Sequence, residues 1–243
     1  MGKLMQTRNS IRARIENLLG IQISRASHHG HRVCTDIKRS GCQISVVFDV
    51  GANVGQSALK FRVAFPKAKI YCFEPVKETF EILKGNVNSY DTISCYQTAF
   101  GSSDGQETIY LTHRSNTSSL IKPKKIVGSE VVNLCTVDGF ASDNQIKRID
   151  LLKIDTEGFD LEVLKGAQNM LSSGQIAFVL AEIGFHPGNT RHVPFDDIRS
   201  YLLPMGYAVF GIYDQQPEWS GEKRLRYANV CFSNDRNSGP EKG

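Results

Sequence analysis

The chain has 243 residues, of which 40% are hydrophobic and 22% charged, and its formal net charge is +4 at pH 7. That length suits one sizeable α/β domain with an appendage, and the composition excludes a fibrous or wholly disordered protein. The mild charge argues against a nucleic-acid partner. None of the six cysteines forms a C-x-x-C pair, and no apolar run is long enough to cross a bilayer. We therefore predict a cytoplasmic protein without a transmembrane segment.

The first 40 residues (1–40) are predicted to form a basic helical extension. They hold eight lysines and arginines but only two acids, Glu16 and Asp36. Between residues 8 and 19 the apolar residues recur at the spacing of one helix face, which predicts an amphipathic helix. The main domain is then expected over residues 41–233, and a disordered tail over residues 234–243.

A short apolar stretch that ends in an acid and two close glycines is the most informative feature of the chain. It reads Val46-Val47-Phe48-Asp49-Val50-Gly51-Ala52-Asn53-Val54-Gly55, and a helical pattern begins immediately after it. This is how a parallel α/β sheet opens a nucleoside site at the carboxyl end of its first strand. A second strand, at residues 69–73, ends in Glu74, whose carboxylate can accept hydrogen bonds from two ribose hydroxyls.

The spacing of these glycines indicates which nucleoside is bound. A dinucleotide loop reads G-x-G-x-x-G, and its second glycine lets the backbone approach a pyrophosphate. Here Asn53 stands at that position, the last glycine comes one residue early, and Asp49 would repel a diphosphate in a low-dielectric cleft. The pattern therefore favours S-adenosylmethionine, a cation with a ribose and no phosphate. A strand-to-helix turn without a ligand is the alternative, but it leaves Glu74 unexplained.

Strands and helices alternate from residue 45 onwards, which predicts an α/β fold with a mostly parallel sheet. Asp104-Gly105 signals a hairpin between the third strand and a returning strand. The last two predicted strands, at residues 206–212 and 225–232, resemble a closing antiparallel pair. Strands after the second are predicted at residues 93–100, 106–111, 150–155, 176–183, 206–212 and 225–232.

Three blocks of the sequence resemble the FkbM family of S-adenosylmethionine-dependent methyltransferases, over about residues 45–232. They are Phe48–Gly55, Phe73-Glu74-Pro75, and Leu152–Gly158 together with Glu162-Val163-Leu164-Lys165-Gly166. The resemblance implies the Rossmann-like class I methyltransferase fold, in which a seven-stranded, mostly parallel sheet has an antiparallel last strand.

The resemblance also implies an O-methyltransferase and a kind of acceptor. Members of the family mostly methylate hydroxyl groups of sugars and secondary metabolites, so a glycan or glycolipid acceptor is expected, with a polyketide or other secondary metabolite as the alternative. The chain's size and basic N-terminal segment resemble the rhizobial nodulation enzymes that 2-O-methylate a fucosyl group on a lipochitooligosaccharide. Two interpretations from other classes are an NAD(P)-dependent oxidoreductase and a non-catalytic protein that binds a glycan or nucleoside.

Ligands of an open α/β sheet lie beyond the carboxyl ends of its strands, where the predicted cofactor residues collect. We assign Asp49 to the ammonium group of the methionine moiety and Glu74 to the ribose. Ser102, near the end of the third strand, is assigned to the adenine edge. The close backbone wall consists of Gly51, Asn53 and Gly55.

Methyl transfer to an alcohol needs the oxygen in line with the sulfonium and a group that removes the hydroxyl proton. The candidates at the strand ends are Asp155, Glu157, Glu182 and His186. Histidine titrates closest to neutral pH, which favours His186, but a histidine before Pro187 is equally typical of a plain loop. Glu157 can instead stabilise a helix N-terminus. As a further alternative, Asp155 and Glu182 hold Mg²⁺, which would make the hydroxyl more acidic.

Overall fold

The computed structural model describes residue 30 and residues 32–112, 118–121, 126–217 and 224–234. This part of the chain forms ten strands, seven α-helices and a 3₁₀ turn (Leu203–Met205). The strands are β1 (Val46–Val50), β2 (Lys69–Phe73), β3 (Ile93–Tyr96), β4 (Ala99–Phe100), β5 (Gly105–Leu111), β6 (Gly128–Cys135), β7 (Ile149–Ile154), β8 (Ile176–Gly184), β9 (Tyr207–Pro217) and β10 (Leu225–Asn234). The helices are α1 (Val33–Arg39), α2 (Gln56–Ala64), α3 (Lys77–Val87), α4 (Val137–Asp143), α5 (Asp160–Lys165), α6 (Gln168–Ser172) and α7 (Phe195–Leu202).

Seven strands form one sheet in the order β3-β2-β1-β7-β8-β10-β9. Neighbouring strands from β3 to β8 pair in parallel, and β10 is antiparallel to both β8 and β9. The predicted Rossmann-like fold, with its antiparallel last strand, is confirmed. Because the strand order reverses between β1 and β7, the carboxyl ends of these two strands meet where open α/β sheets bind their ligands.

The central strands β1, β7 and β8 are buried along almost their whole length. Such strands appear in sequence as apolar runs, because helices cover both faces of a parallel sheet. Asp49 in β1 and Lys153 in β7 interrupt these runs and are both buried. A buried charge is costly unless it is paired, and these two side chains form an ion pair with each other.

The helices cover the sheet on both sides. On one face Phe61 of α2 and Leu83 of α3 belong to a core cluster with residues of the central strands. On the other face Val163 of α5 and Ile198 of α7 belong to a second cluster. The result is a three-layer domain whose strand ends remain open on the carboxyl side, which is the side that carries the site.

A second, three-stranded sheet has the order β4-β6-β5. The sequence predicted a hairpin at Asp104-Gly105, and that prediction was wrong: β6 lies between β4 and β5, parallel to the first and antiparallel to the second. The Asp104 carboxylate instead accepts a hydrogen bond from the backbone N–H of Thr136 at 2.8 Å. Residues 93–100 accordingly form two strands, one in each sheet.

Helix α1 packs with the main domain. Ile37 is fully buried in the core, and the Tyr213 hydroxyl donates to an Asp36 carboxylate oxygen at 3.2 Å. The packed domain therefore includes Val33–Arg39, which we predicted to belong to the N-terminal extension. The helix predicted at residues 8–19 and the tail after residue 234 lie outside the described residues. Within the described ranges, no helix combines the length and the apolarity that a membrane span requires.

Candidate active site

The loop between β1 and α2 is held against the end of β7. Gly51 has a φ of 71°, and a Cβ atom there would lie 1.9 Å from the carbonyl oxygen of Asp155, so only glycine fits. Its N–H donates to the Phe73 carbonyl at 3.0 Å. Asn53 and Gly55 also have positive φ angles, of 48° and 95°. Asparagine tolerates this conformation better than most residues, so the composition of the motif fixes the shape of the loop.

Glu74 follows β2 and is held by two main-chain N–H groups. Its Oε2 accepts from Asn53 N and its Oε1 accepts from Val76 N, both at 3.0 Å. Burial raises the pKa of this carboxyl to about 7, although the two N–H groups oppose the shift. A carboxylate oxygen accepts more than one hydrogen bond, so each oxygen retains a lone pair for a hydroxyl group.

Glu74 faces a cavity at the junction of β1 and β7. Phe73 and Phe100, whose ring centroids are 4.4 Å apart, give it an apolar wall. The buried side-chain oxygen of Asn53, also at the cavity, has no hydrogen-bond partner within the described residues. The lining residues come from the loop after β1, the ends of β2 and β7, the small sheet and the turn before β6: Val50, Gly51, Asn53, Phe73, Glu74, Pro75, Val76, Thr98, Ala99, Phe100, Ile109, Ser118, Ser119, Leu120, Asp155, Thr156 and Glu157.

Asp49 is completely buried beneath the loop and does not line this cavity. Its Oδ1 lies 3.0 Å from Lys153 Nζ, which also donates to the Gly51 carbonyl at 2.9 Å. Burial opposes the charge on Lys153, but Asp49 and Asp155 outweigh burial and raise the pKa of its ammonium. The position of Asp49 therefore does not support the predicted contact with a ligand's ammonium group. Asp155, whose side chain is 40% exposed, is the carboxylate available beside the loop.

Lys153 also bears on the Mg²⁺ alternative. Its ammonium lies 3.5 Å from Asp155 Oδ2, where it would repel a divalent cation. Glu182, the other predicted ligand, is hydrogen-bonded to His192. In the described part of the chain, no contact supports Mg²⁺ between Asp155 and Glu182.

Ser102 is exposed and contacts Glu162 rather than the cavity. The cavity is lined instead by Thr98, Ala99 and Phe100. The assignment of Ser102 to the adenine edge assumed one continuous strand over residues 93–100. Because that strand breaks before β4, the segment that faces the cavity lies two to four residues earlier in the chain.

The turn after β7 holds Glu157 in an uncommon conformation. Its φ is 55°, which costs a residue with a side chain about 1 kcal/mol. The Ser119 hydroxyl donates to its carbonyl at 2.9 Å, and the Arg191 guanidinium contacts both oxygens of its carboxylate. Burial raises the pKa of the Glu157 carboxyl, and the hydrogen bond from Arg191 opposes that shift. Such fixed strain is typical of functional positions.

Glu182, near the carboxyl end of β8, pairs with a histidine that the sequence pattern did not indicate. His192 Nε2 lies 2.9 Å from Glu182 Oε2. One ligand-type atom from each of Glu157, Glu182 and His192 lies within 4.8 Å of the other two. This arrangement resembles a cation site, but Arg191 already contacts Glu157, and His192 and Glu182 already contact each other.

The structure thus brings Glu157 and Glu182 together and places Asp155 at the same edge of the cavity. His186 lies in the segment after β8, where its Nδ1 accepts a hydrogen bond from Gly188 N at 3.0 Å. The catalytic roles of all four residues stay predictions.

Three contributors were missed at the level of sequence. A lysine inside an otherwise apolar strand was a usable signal for Lys153, because a buried cation needs an anionic partner. Arg191 and His192 lie in an irregular segment between β8 and α7, where no spacing rule indicates what a side chain will meet.

A comparison with known protein families covers the residues of this cavity. Residues 49–209 match the methyltransferase FkbM domain. The chain belongs to the FkbM methyltransferase family. The matched region begins at Asp49, ends within β9 and contains every residue that lines the cavity.

Two relatives of the chain are named as methyltransferases. The chain is 31% identical over 146 residues to the hexuronic acid methyltransferase AglP of Haloferax volcanii, covering 57% of this chain and 55% of the relative. It is 22% identical over 149 residues to the 2-O-methyltransferase NoeI of Sinorhizobium fredii, covering 55% of this chain and 61% of the relative. The chain therefore spans little more than half of each relative's length.

Among solved structures, M. capricolum TrmK in complex with S-adenosyl-homocysteine is similar with a TM-score of 0.47 and 13% sequence identity. That comparison covers 82% of this chain and 67% of the other.

Proposed function

We propose that the chain transfers a methyl group from S-adenosylmethionine to a hydroxyl group of a sugar. The observation that carries the proposal is Glu74: a buried carboxylate, fixed by two main-chain N–H groups, faces the same cavity as the glycine loop and the turn after β7. A carboxylate in this place suits the two hydroxyls of a ribose.

The residues around the cavity fit the other groups of the methyl donor. Phe73 and Phe100 offer an apolar wall for adenine. The unpartnered Asn53 side-chain oxygen and the exposed Asp155 carboxylate offer acceptors for an ammonium group. A buried acceptor without a partner is costly, so a ligand that supplies a donor stabilises it.

The local charge also favours a cation over a dinucleotide. Asp49, Asp155 and Glu74 surround a single buried lysine, Lys153, so the side chains beneath and beside the loop carry excess negative charge. This charge attracts a sulfonium or ammonium group and repels a diphosphate. The side chain of Asn53 stands where a dinucleotide loop leaves room for a pyrophosphate.

The proposed acceptor class rests on the relatives. One is named for hexuronic acid and another for 2-O-methylation. We therefore propose a glycan or glycolipid acceptor, with a uronosyl or fucosyl unit as the first sugars to test. Glu157, Arg191, Glu182 and His192 lie at the edge where this acceptor would approach the methyl donor.

Bound S-adenosylmethionine supplies an electrophilic methyl group. The chain's own task is to orient the acceptor oxygen and to receive its proton. Holding two reactants in line removes up to about 7–11 kcal/mol of the barrier, whereas a general base contributes roughly 10²–10⁴-fold. A rigid loop pinned at Gly51 and the acidic edge that holds Glu157 and Glu182 suit those two tasks.

The first test is ligand binding. Calorimetry should detect S-adenosylhomocysteine and no NADPH, because only the former lacks phosphate. Glu74→Ala should weaken S-adenosylhomocysteine binding about 10–100-fold through the loss of charge-assisted hydrogen bonds. Glu78→Ala, on the exposed side of α3, is the matched control and should bind like wild type. Preferential binding of NADPH would overturn the proposal.

The second test is methyl transfer. Labelled S-adenosylmethionine is incubated with methyl fucoside, methyl glucuronide and glycan extracts, and the products are examined by mass spectrometry for a gain of one CH₂. Labelling of any of these sugars supports the proposal. Binding of S-adenosylhomocysteine with labelling of only non-sugar metabolites would retain the donor and overturn the sugar acceptor.

A further inference from the structure

We infer that Glu182 is the general base of this site and that His192 is a positioning residue which fixes the Glu182 carboxylate. The inference rests on the proposed function, because a base is needed only if a hydroxyl is methylated. It goes further by identifying which of the side chains at the acceptor edge receives the proton.

The first step is the tautomer of His192, which follows from its two polar neighbours, Asn189 and Glu182. The Asn189 side-chain oxygen accepts from the backbone N–H groups of Arg191 and His192, at 3.1 and 3.3 Å. Its NH₂ group donates to the Arg226 carbonyl at 3.2 Å. With the amide oriented in this way, its nitrogen lies 2.9 Å and its oxygen 3.1 Å from His192 Nδ1. His192 Nε2 faces a carboxylate oxygen of Glu182, and an ionised carboxylate only accepts, so Nε2 carries the ring proton. In the neutral imidazole Nδ1 is then an acceptor, which selects the shorter contact with the amide nitrogen.

The second step follows from that tautomer. His192 Nε2–H points at Glu182 Oε2, 2.9 Å away, and donates to it. The imidazole is buried and stacks on the Tyr227 ring with centroids 4.5 Å apart, so it cannot turn away. A donor held in this way fixes the rotamer of the carboxylate. His192 itself is too buried to meet a substrate.

The third step is the choice between the two carboxylates. Arg191 contacts both oxygens of Glu157, so that carboxylate is neutralised and occupied. Glu182 receives one imidazole N–H at one oxygen, and its side chain is 22% exposed. Glu182 lies on β8 beside the end of β7, and one of its carboxylate oxygens is within 4.8 Å of a carboxylate oxygen of Glu157, which lines the cavity.

The reaction step balances as follows. The acceptor hydroxyl oxygen forms a bond to the methyl carbon, the carbon–sulfur bond breaks, and its electron pair goes to sulfur, which becomes a neutral thioether. The hydroxyl proton passes to the free oxygen of Glu182. His192 keeps its own proton throughout. The proton received by Glu182 then leaves to solvent, which returns the carboxylate to its ionised form.

The structural part of the inference is tested by nitrogen NMR of the imidazole in the full chain, with and without S-adenosylhomocysteine. We expect His192 to carry its proton on Nε2 and to have an unprotonated Nδ1. Asn189→Asp should add a proton at Nδ1 while Nε2 keeps its own, because a carboxylate accepts where the amide donated. A proton on Nδ1 in the wild type, or a His192 spectrum that does not change in Glu182→Gln, would overturn the inference. The NMR measurement needs no acceptor. It therefore tests the contact between His192 and Glu182 even if none of the sugars is methylated.

The catalytic part is tested on the sugar that wild type methylates. Glu182→Gln should lower kcat about 10²–10⁴-fold, with unchanged affinity for S-adenosylhomocysteine. His192→Phe retains a ring but no donor, so kcat should fall while the affinity for S-adenosylhomocysteine stays unchanged. His192→Gln restores a donor and should recover most of the rate. The charged and titratable groups facing the pair, namely Glu157, Arg191, Tyr227 and Arg226, are unchanged in all three variants.

Two outcomes would overturn the assignment. The first is wild-type kcat in Glu182→Gln together with a large loss in His186→Gln, which would move the base to the other histidine. The second is activity that EDTA abolishes and Zn²⁺ or Mg²⁺ restores, which would make the trio of Glu157, Glu182 and His192 a cation site. Glu78→Gln serves as the control for a charge change outside the cleft.

Discussion

The cleft has two halves, which we propose bind the methyl donor and the acceptor and which we call the donor half and the acceptor half. Their charged side chains are fixed by different kinds of contact. In the donor half, Glu74 is fixed by main-chain N–H groups and Asp49 by a buried lysine, all on segments that the sheet positions. In the acceptor half, Glu157 and Glu182 are fixed by side chains from one irregular segment, through Arg191 and His192. The charged residues of the donor half are therefore fixed by the sheet and its main chain, whereas those of the acceptor half depend on side chains of one irregular segment.

This difference explains how one scaffold can keep its donor and vary its acceptor. Exchanging residues in the segment that follows β8 alters the acceptor edge without disturbing the sheet, since loops tolerate change better than the elements they connect. Changing Asp49 or Lys153 instead disturbs two central strands at once. Substitutions in the two halves should therefore differ in whether they affect stability or turnover.

The largest effect is expected when the buried ion pair of the donor half is broken. Lys153→Met leaves Asp49 buried without its cation and should lower the free energy of unfolding by about 3–5 kcal/mol. Burial already raises the pKa of Asp49. The deficit should therefore shrink at low pH, where this carboxyl is neutral, and grow as pH rises.

Urea denaturation at several pH values measures this effect. The double variant Asp49→Asn, Lys153→Met is the control and should recover most of the loss, because no lone charge remains. A single variant as stable as wild type at pH 8 would show that the pair does not support the loop.

A slightly smaller effect is expected at the close approach between the loop and β7. In Gly51→Ala the new Cβ meets a main-chain oxygen at 1.9 Å in a left-handed conformation, which should cost about 3 kcal/mol and abolish donor binding. Gly85→Ala, in helix α3 with no atom within 4 Å of its new Cβ, is the matched control. It should gain about 0.5–1 kcal/mol. Thermal unfolding measures the stability of the two variants, and calorimetry measures their donor binding. Normal donor binding in Gly51→Ala would contradict the close approach of Gly51 to the Asp155 carbonyl.

A moderate effect is expected from pH on donor affinity. Burial raises the pKa of Glu74 to about 7, and ribose hydroxyls donate to the ionised form. Affinity for S-adenosylhomocysteine should therefore rise up to pH 7 and then level off, falling about tenfold for each pH unit below. Glu74→Gln should bind weakly with this dependence removed. The same slope in both proteins would assign the titration to another group.

The smallest effect on stability is expected at the acceptor edge. Arg191 is 42% exposed, so Arg191→Lys should lower the free energy of unfolding by less than about 1 kcal/mol despite losing the two-point contact with Glu157. Donor affinity should be unchanged and methyl transfer reduced. A loss of donor binding in this variant would mean that the two halves are not separable.

The same division determines what sequence alone could reveal. The loop of Gly51, Asn53 and Gly55 and the acid Glu74 were predictable, because backbone geometry demands particular residue types at fixed spacing. The mostly parallel sheet with an antiparallel last strand was implied by the family resemblance, whereas its strand order was not predicted. The structure does not bring Asp49 or Ser102 to the cavity, because Asp49 pairs with Lys153 beneath the loop and the third strand breaks before β4, and their roles stay predictions. The pair of Glu182 and His192 forms across an irregular segment, where only tertiary packing decides which side chains meet.

The central claim is that Glu74 receives the ribose of a phosphate-free adenosine donor. It is tested most directly by a crystal structure of the chain with S-adenosylhomocysteine at pH 8, where the carboxylate is ionised. The account predicts both ribose hydroxyls within hydrogen-bond distance of the Glu74 oxygens and the adenine against Phe100. A ligand bound elsewhere, or a cavity that stays empty at saturating ligand, would contradict it.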